Sequence, residues 1–267
     1  MVAIAVLSQK GGVGKTVTVA NLAAGLAESG WRVLMVDFDP QADLSASWGV
    51  EEDDPRPRIE QFLGRADPRL GDALLDLAID GGRLALLPTA YEALRRQTAR
   101  LLERRNQDLA DLLDRLRGEF DVVLIDTPAG DTVFGRQALV AADEVIVPML
   151  PGYQELRALT RVLDVLDERA GQEATPVHLL GVLVVNADPR WRSTKEYGAH
   201  LAAMALDDEI ALFDIVVPRH QPVTEHARYG RPTMLLRPQS TVAVAYRSLA
   251  GEVADRLAAR HALVERA

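Results

Sequence analysis

The sequence predicts an α/β fold, a doubly wound and mostly parallel sheet flanked by helices, and three observations predict it. Short β-rich apolar runs alternate with longer helical patterns. The runs Val122-Val123-Leu124-Ile125 and Val145-Ile146-Val147 are apolar at consecutive positions, as expected of parallel strands covered on both faces. The first run leads directly into a glycine-rich loop and a helix. With 267 residues and 48% apolar content, the chain has enough hydrophobic surface to bury a full core. No internal repeat or linker forces a boundary, so residues 1–267 are read as one domain.

Taken in order, residues 2–7 form an apolar run too short for a signal sequence and read as a buried strand. Residues 16–29 form a helix that is apolar or small nearly all round, closed by Gly30. A strand is expected over 32–37. Residues 51–82 carry Pro55, Pro57, Pro68 and several glycines, and are expected to be an irregular surface excursion. Further strands are expected at 84–88, 121–126, 144–149, 178–186 and 214–217. The helix after Tyr153 places Leu156, Leu159, Val162, Leu163 and Leu166 on one core-facing stripe. In the tail, 241–267, Leu249, Val253, Leu257 and Leu263 recur at helical spacing, a pattern explained by packing on the domain.

Composition narrows the function. The absence of cysteine excludes disulfides, thiolate zinc sites and thiol catalysis, and disfavours iron–sulfur transfer. No stretch approaches the roughly 20 uninterrupted apolar residues that cross a bilayer, so a cytoplasmic protein is expected. A net charge of −9 speaks against a globally basic nucleic-acid coat but leaves room for a local patch. Of the 30 basic residues only Lys10, Lys15 and Lys195 are lysine. Two of these three share one glycine loop, which points to sites that need a compact ammonium rather than a planar fork.

That loop is Ser8-Gln9-Lys10-Gly11-Gly12-Val13-Gly14-Lys15-Thr16. Between a strand and a helix, its glycines let successive N–H groups and the helix N-terminus point at phosphate oxygens. Lys15 supplies a point charge near the β and γ phosphates, and the Thr16 hydroxyl suits Mg²⁺. Gln9 stands where the standard motif has its first glycine, and Lys10 is additional. Residues 10–16 resemble the deviant Walker A motif of the ParA and MinD ATPases, and the chain as a whole most resembles short, Soj-like ParA partition proteins. The resemblance implies that Gly11, Gly12, Val13, Gly14, Lys15 and Thr16 bind ATP, with Lys15 serving hydrolysis as well. It also implies that Lys10 reaches across a dimer to the partner's nucleotide. A second ammonium there lowers the repulsion between two nucleotides and stabilises charge developing in phosphoryl transfer.

Asp37-Phe38-Asp39-Pro40-Gln41 puts two carboxylates at the ligand-binding edge of a parallel sheet, on the same side if period two continues. The resemblance gives Asp37 a part in the magnesium water shell and makes Asp39 the group that positions the attacking water; capping of the following turn is the alternative. Residues 121–128 read as Walker B, delivering Asp126 beside the metal. Its continuation, Ala129-Gly130, is closer to MinD wording than to the double proline common in ParA. Asn186 and Pro218 match positions that hold adenine in the family, with a turn-forming role as the alternative for Asn186.

The resemblance covers nearly the whole chain, weakest over 51–106, and implies a slow, partner-stimulated ATPase that uses ATP and Mg²⁺. Its homodimer would bind DNA nonspecifically and respond to a ParB-like or other activating protein, segregating or positioning DNA or other cargo. Arg190 matches a family DNA contact; Arg192 and Lys195, in the same stretch as Trp191, and Arg219, after Pro218, are further DNA-binding candidates. A solvated basic loop is the alternative. Where typical members carry a second DNA-contacting arginine, this chain has Pro222. The tail lacks the lysine-rich amphipathic character of the MinD membrane helix, so stable membrane association is not expected. With no helix-turn-helix before the first strand, neither is sequence-specific operator binding. The alternative function is a positioning or regulatory switch that acts through protein contacts without DNA.

Overall fold

The computed structural model describes residues 1–103, 107–170, 177–188, 190–207, 210–219 and 231–264. Its centre is β1 (Val2–Val6), which pairs in parallel with β5 (Val122–Asp126) on one side and β6 (Glu144–Met149) on the other. Beyond β5 lie β2 (Arg32–Asp37) and β4 (Arg83–Leu87), and beyond β6 lies β7 (His178–Val184). A short β3 (Leu75–Leu77) pairs antiparallel with β4 and completes a seven-stranded sheet in the order β3-β4-β2-β5-β1-β6-β7.

The consecutive apolar residues of β5 are all buried because both faces of the sheet are covered. Val122 and Leu124 join Ile4, Val6, Val33 and Met35 against α1 (Lys15–Glu28) and α9 (Thr241–Val264). Val123 and Ile125 join Ala3, Ala5, Leu34 and Val36 on the opposite face. There they meet α4 (Asp108–Asp114), α5 (Val133–Ala141) and α6 (Tyr153–Ala170), whose expected stripe is anchored by buried Leu159, Val162 and Leu166.

Helix α1 is apolar or small nearly all round because it is enclosed between the sheet and α9. Burying Val19, Leu22 and Leu26 stabilises the fold by about 1.5–3 kcal/mol each. The two helices approach so closely that a Cβ on Gly25 would lie 2.9 Å from the Ala250 methyl and 3.3 Å from the Tyr246 carbonyl oxygen. Glycine is therefore required there by space rather than by dihedral angle.

Two expectations are corrected. The strand expected at 214–217 does not form; isolated bridges flank it, Leu212 to Val182 and Pro218 to Ala187. Val217 N–H donates to Val184 O, but Asp214 and Ile215 N–H groups turn to the Glu252 carboxylate of α9, at 3.1 and 3.4 Å. Arg256, one turn further along α9, takes the carbonyls of Leu180 and Leu212, so side chains of the last helix replace a regular ladder. The stretch 51–82 is irregular, as expected, but it is not merely superficial. Ile59, Phe62, Leu63, Leu70 and Ala73 are buried in the core, and β3 lies within it. Buried Arg58 holds this stretch by donating to the carbonyls of Glu51, Asp54 and Thr89, which supplies the partners that a sheet would otherwise give.

Candidate functional site

The carboxyl edge of the central strands builds the site. The chain leaving β1 is fixed by Leu7 N–H to Ile146 O, by the Thr127 hydroxyl to Val6 O, and by Gly130 N–H to Ser8 O. The loop that follows turns at Gly12 and Gly14, both at positive φ (73° and 82°), where a side chain would be strained. α1 begins at Lys15 with no side-chain cap and no acidic residue in its first turn, leaving its N–H groups and positive dipole end to an anionic ligand. Lys15 is only 8% exposed, its Nζ 3.2 Å from Ser8 Oγ and 3.5 Å from Lys10 O. Burial pushes its pKa down, against the pull of Asp126 and Asp39.

Asp37 and Asp126 are register partners at the ends of adjacent strands, and both are fully buried. Burial raises Asp37 to about 7, against hydrogen bonds from Ser45 and from the Asp39 amide. Burial also raises Asp126 well above the carboxylate range, and its neighbour Asp37 adds to the rise. Neither Asp126 oxygen has a hydrogen-bond partner; the facing Thr16 hydroxyl and Lys15 offset only part of the burial. Two adjacent buried carboxylates, one unsatisfied, beside a Thr hydroxyl and a phosphate loop fit a divalent cation. Among the described residues no group of three or more His, Asp or Glu side chains is set to chelate an ion by itself. Mg²⁺, which retains waters and is held by one or two carboxylates together with phosphates, suits this pair.

Because β2 ends at Asp37, the two-residue period does not reach Asp39. Asp39 instead lines the cleft half-buried, with Oδ1 accepting from Gln41 N–H at 3.0 Å, and burial raises its pKa. The cleft encloses about 900 Å³ and is lined by residues 11–16, with Val185, Asn186, Val217 and Pro218 on its β7 side. Asn186 adopts φ 54°, and the bridge between Ala187 and Pro218 holds the two segments together. This side is mostly apolar, suited to a planar base.

Lys10 stands apart. It does not line the cleft, although it shares the loop with Lys15. Its Nζ is held at the start of α6, 2.9 Å from Glu155 Oε1 and 2.8 Å from Gln154 Oε1, with its side chain 35% exposed.

A family model described as AAA domain matches residues 1–175. The chromosome-partitioning ATPase Soj of Thermus thermophilus is 36% identical, covering 95% of this chain and 96% of the relative. The chromosome partitioning protein ParA of Caulobacter vibrioides is 32% identical over 95% of this chain and 94% of its own length. The chain belongs to the ParA/Soj family of P-loop ATPases. Among solved structures, that of Mycobacterium smegmatis cobyrinic acid a,c-diamide synthase with bound ATP analog and magnesium is 32% identical. It aligns with a TM-score of 0.77 over 94% of this chain and 93% of that one.

The DNA contacts expected of a ParA protein fall at the β7 edge. Arg190 makes a two-pronged bond to Asp188, from Nε at 2.9 Å and Nη2 at 2.7 Å. Arg192 pairs with Glu196 one turn along α7 (Arg192–Leu206), and Lys195 is exposed on the same helix. The Arg219 guanidinium stacks 4.7 Å above the ring of Trp191, joining two segments that the sequence keeps apart. Pro222 lies outside the described residues. Sequence reasoning missed Glu155 and Gln154, the partners of Lys10, and Arg95 and Arg136, which line the cleft. None of these four sits in a motif, so no local signal marks them.

Proposed function

We propose that this chain is a ParA-type ATPase switch: ATP closes two copies face to face, the dimer holds nonspecific DNA in the cytoplasm, and a ParB-like or other activating protein stimulates slow hydrolysis. The observation that carries the reading is the placement of Lys10, on the phosphate loop yet directed away from its own cleft, as a residue that serves a second nucleotide must be. In this reading residues 11–16 bind the triphosphate through backbone N–H groups, and the Lys15 ammonium offsets charge on the β and γ phosphates. Thr16 would ligate Mg²⁺, Asp37 would hold its water shell and Asp126 would lie beside it; there it would supply charge neutralisation for the phosphates. Asp39 orients the attacking water, while Asn186 and Pro218 hold the base. Lys10 of each copy reaches the partner's phosphates.

Light scattering with ATP tests this. Lys15→Ala is expected to abolish nucleotide binding, Lys10→Ala to bind ATP without dimerising, and Asp39→Ala to accumulate as dimer. A monomeric Asp39→Ala protein at saturating ATP would remove the switch and leave a nucleotide binder.

The second reading, a switch that acts through protein contacts, is favoured by the ion pairs that occupy Arg190 and Arg192. Retention of the ATP form on nonspecific duplex separates the two. Phosphate contacts must weaken steeply with salt, and no retention at low salt would leave the second reading.

A further inference from the structure

Ser45 lies in α2 (Asp43–Ser47), eight residues beyond Asp37, and no motif named above includes it. Its backbone N–H and its hydroxyl both donate to the same oxygen, Asp37 Oδ2, at 2.8 and 2.6 Å. Thr89, just past the end of β4, donates its N–H to Ser45 Oγ at 3.0 Å. All three residues are buried. A hydroxyl has one proton and two lone pairs, so the Thr89 amide, by taking a lone pair, directs the Ser45 proton onto the carboxylate. Oδ2 is thereby satisfied twice, whereas Oδ1 receives only the 3.3 Å bond from Asp39 N–H. The two oxygens of one carboxylate are thus made unequal.

We propose that Ser45 is a positioning residue for magnesium: by pinning Oδ2 of Asp37, with its hydroxyl oriented by Thr89 at the end of β4, it presents Oδ1 to the ion's water shell. The inference rests on the reading of Asp37 as part of that shell. Carboxylates that serve a metal depend on such outer partners for orientation. A mere N-terminal fastening of α2 would need one of the two bonds from Ser45. It would not need the amide of Thr89, 44 residues away and just past the end of β4, to set the direction of the second.

Binding of N-methylanthraniloyl-ATP to the full chain, titrated with MgCl₂, tests the proposal. Ser45→Ala is expected to raise the Mg²⁺ concentration for half-maximal binding by about 10-fold and to reach the wild-type affinity at saturating Mg²⁺. Ser45→Thr, which keeps the hydroxyl, is expected to restore the wild-type requirement. An unchanged requirement in Ser45→Ala alongside a shifted one in Asp37→Asn overturns the role of Ser45. So does an equal loss of binding at all Mg²⁺ concentrations, which marks the serine as structural. An unchanged requirement in Asp37→Asn overturns the reading of Asp37 itself, and the inference with it.

Discussion

At the scale of single residues, the distribution of charge around the cleft separates two lysines that share a loop. Lys15 is buried among carboxylates, and Lys10 is partly exposed in an ion pair with Glu155. Water reaches the lysine end of the pair, so it is worth on the order of 1 kcal/mol. Breaking it to free Lys10 is therefore a small cost against the attraction of a second triphosphate. Glu155→Ala is expected to lower the ATP concentration for half-maximal dimer formation, by no more than about fivefold, in light-scattering titrations. A larger effect would mean that Glu155 does more than hold the lysine. The glycine loop, Lys15, Asp37 and Asp126 were legible in the sequence because each lies within a few residues of a strand end. Glu155 was not, because it meets Lys10 across 145 residues.

At the scale of elements, α9 fastens the molecule from one edge of the sheet to the phosphate-loop helix. Its Arg260 pairs with Glu144 at the start of β6 at 2.7 Å, while Glu252 and Arg256 satisfy the backbone beside β7. Burial pushes Glu144 up to about 7, with Asp143 adding to the rise and Arg260 opposing it. The folded protein therefore binds a proton on Glu144 more tightly than the unfolded chain does. The resulting stability is fully present below the unfolded pKa of about 4.3 and is lost as pH rises through about 7. Glu144→Gln is expected to remove roughly 1–3 kcal/mol of the fall in stability between pH 5 and pH 8, read as urea midpoints. On the other side of α9, Gly25→Leu is expected to cost about 2–3 kcal/mol by forcing α1 and α9 apart. Overpacking there outweighs the gain of up to about 1 kcal/mol from replacing glycine in a helix. The strand and helix pattern was legible because periodicity is local. β3 was not, being three residues long with Asp76 at its centre, and neither was the broken edge at 214–217, where side chains of α9 claim the backbone.

At the scale of the whole molecule, the two hydrophobic clusters cover opposite faces of one sheet, and the cleft opens along its carboxyl edge. We propose that the chain unfolds as one domain; intrinsic tryptophan fluorescence and far-UV circular dichroism are expected to report coincident urea transitions. No helix among the described residues is long and apolar enough to cross a membrane. Three residues of the α9 stripe, Leu249, Val253 and Leu257, are buried in the core. Co-sedimentation with anionic phosphatidylserine vesicles is therefore expected to be negligible in ATP or ADP.

By itself the sequence determined the βαβ order, the phosphate loop and the acidic strand ends, since each is written in neighbouring residues whose spacing is set by the backbone repeat. Only the tertiary structure decided where Lys10 rests, which oxygen of Asp37 stays available, and how the β7 edge is closed. Those outcomes depend on side chains brought together from distant parts of the chain, Glu155, Thr89 and Glu252 among them. A hydrogen bond or ion pair needs its partner within about 3 Å, and only the packing of the helices on the sheet sets which partner that is.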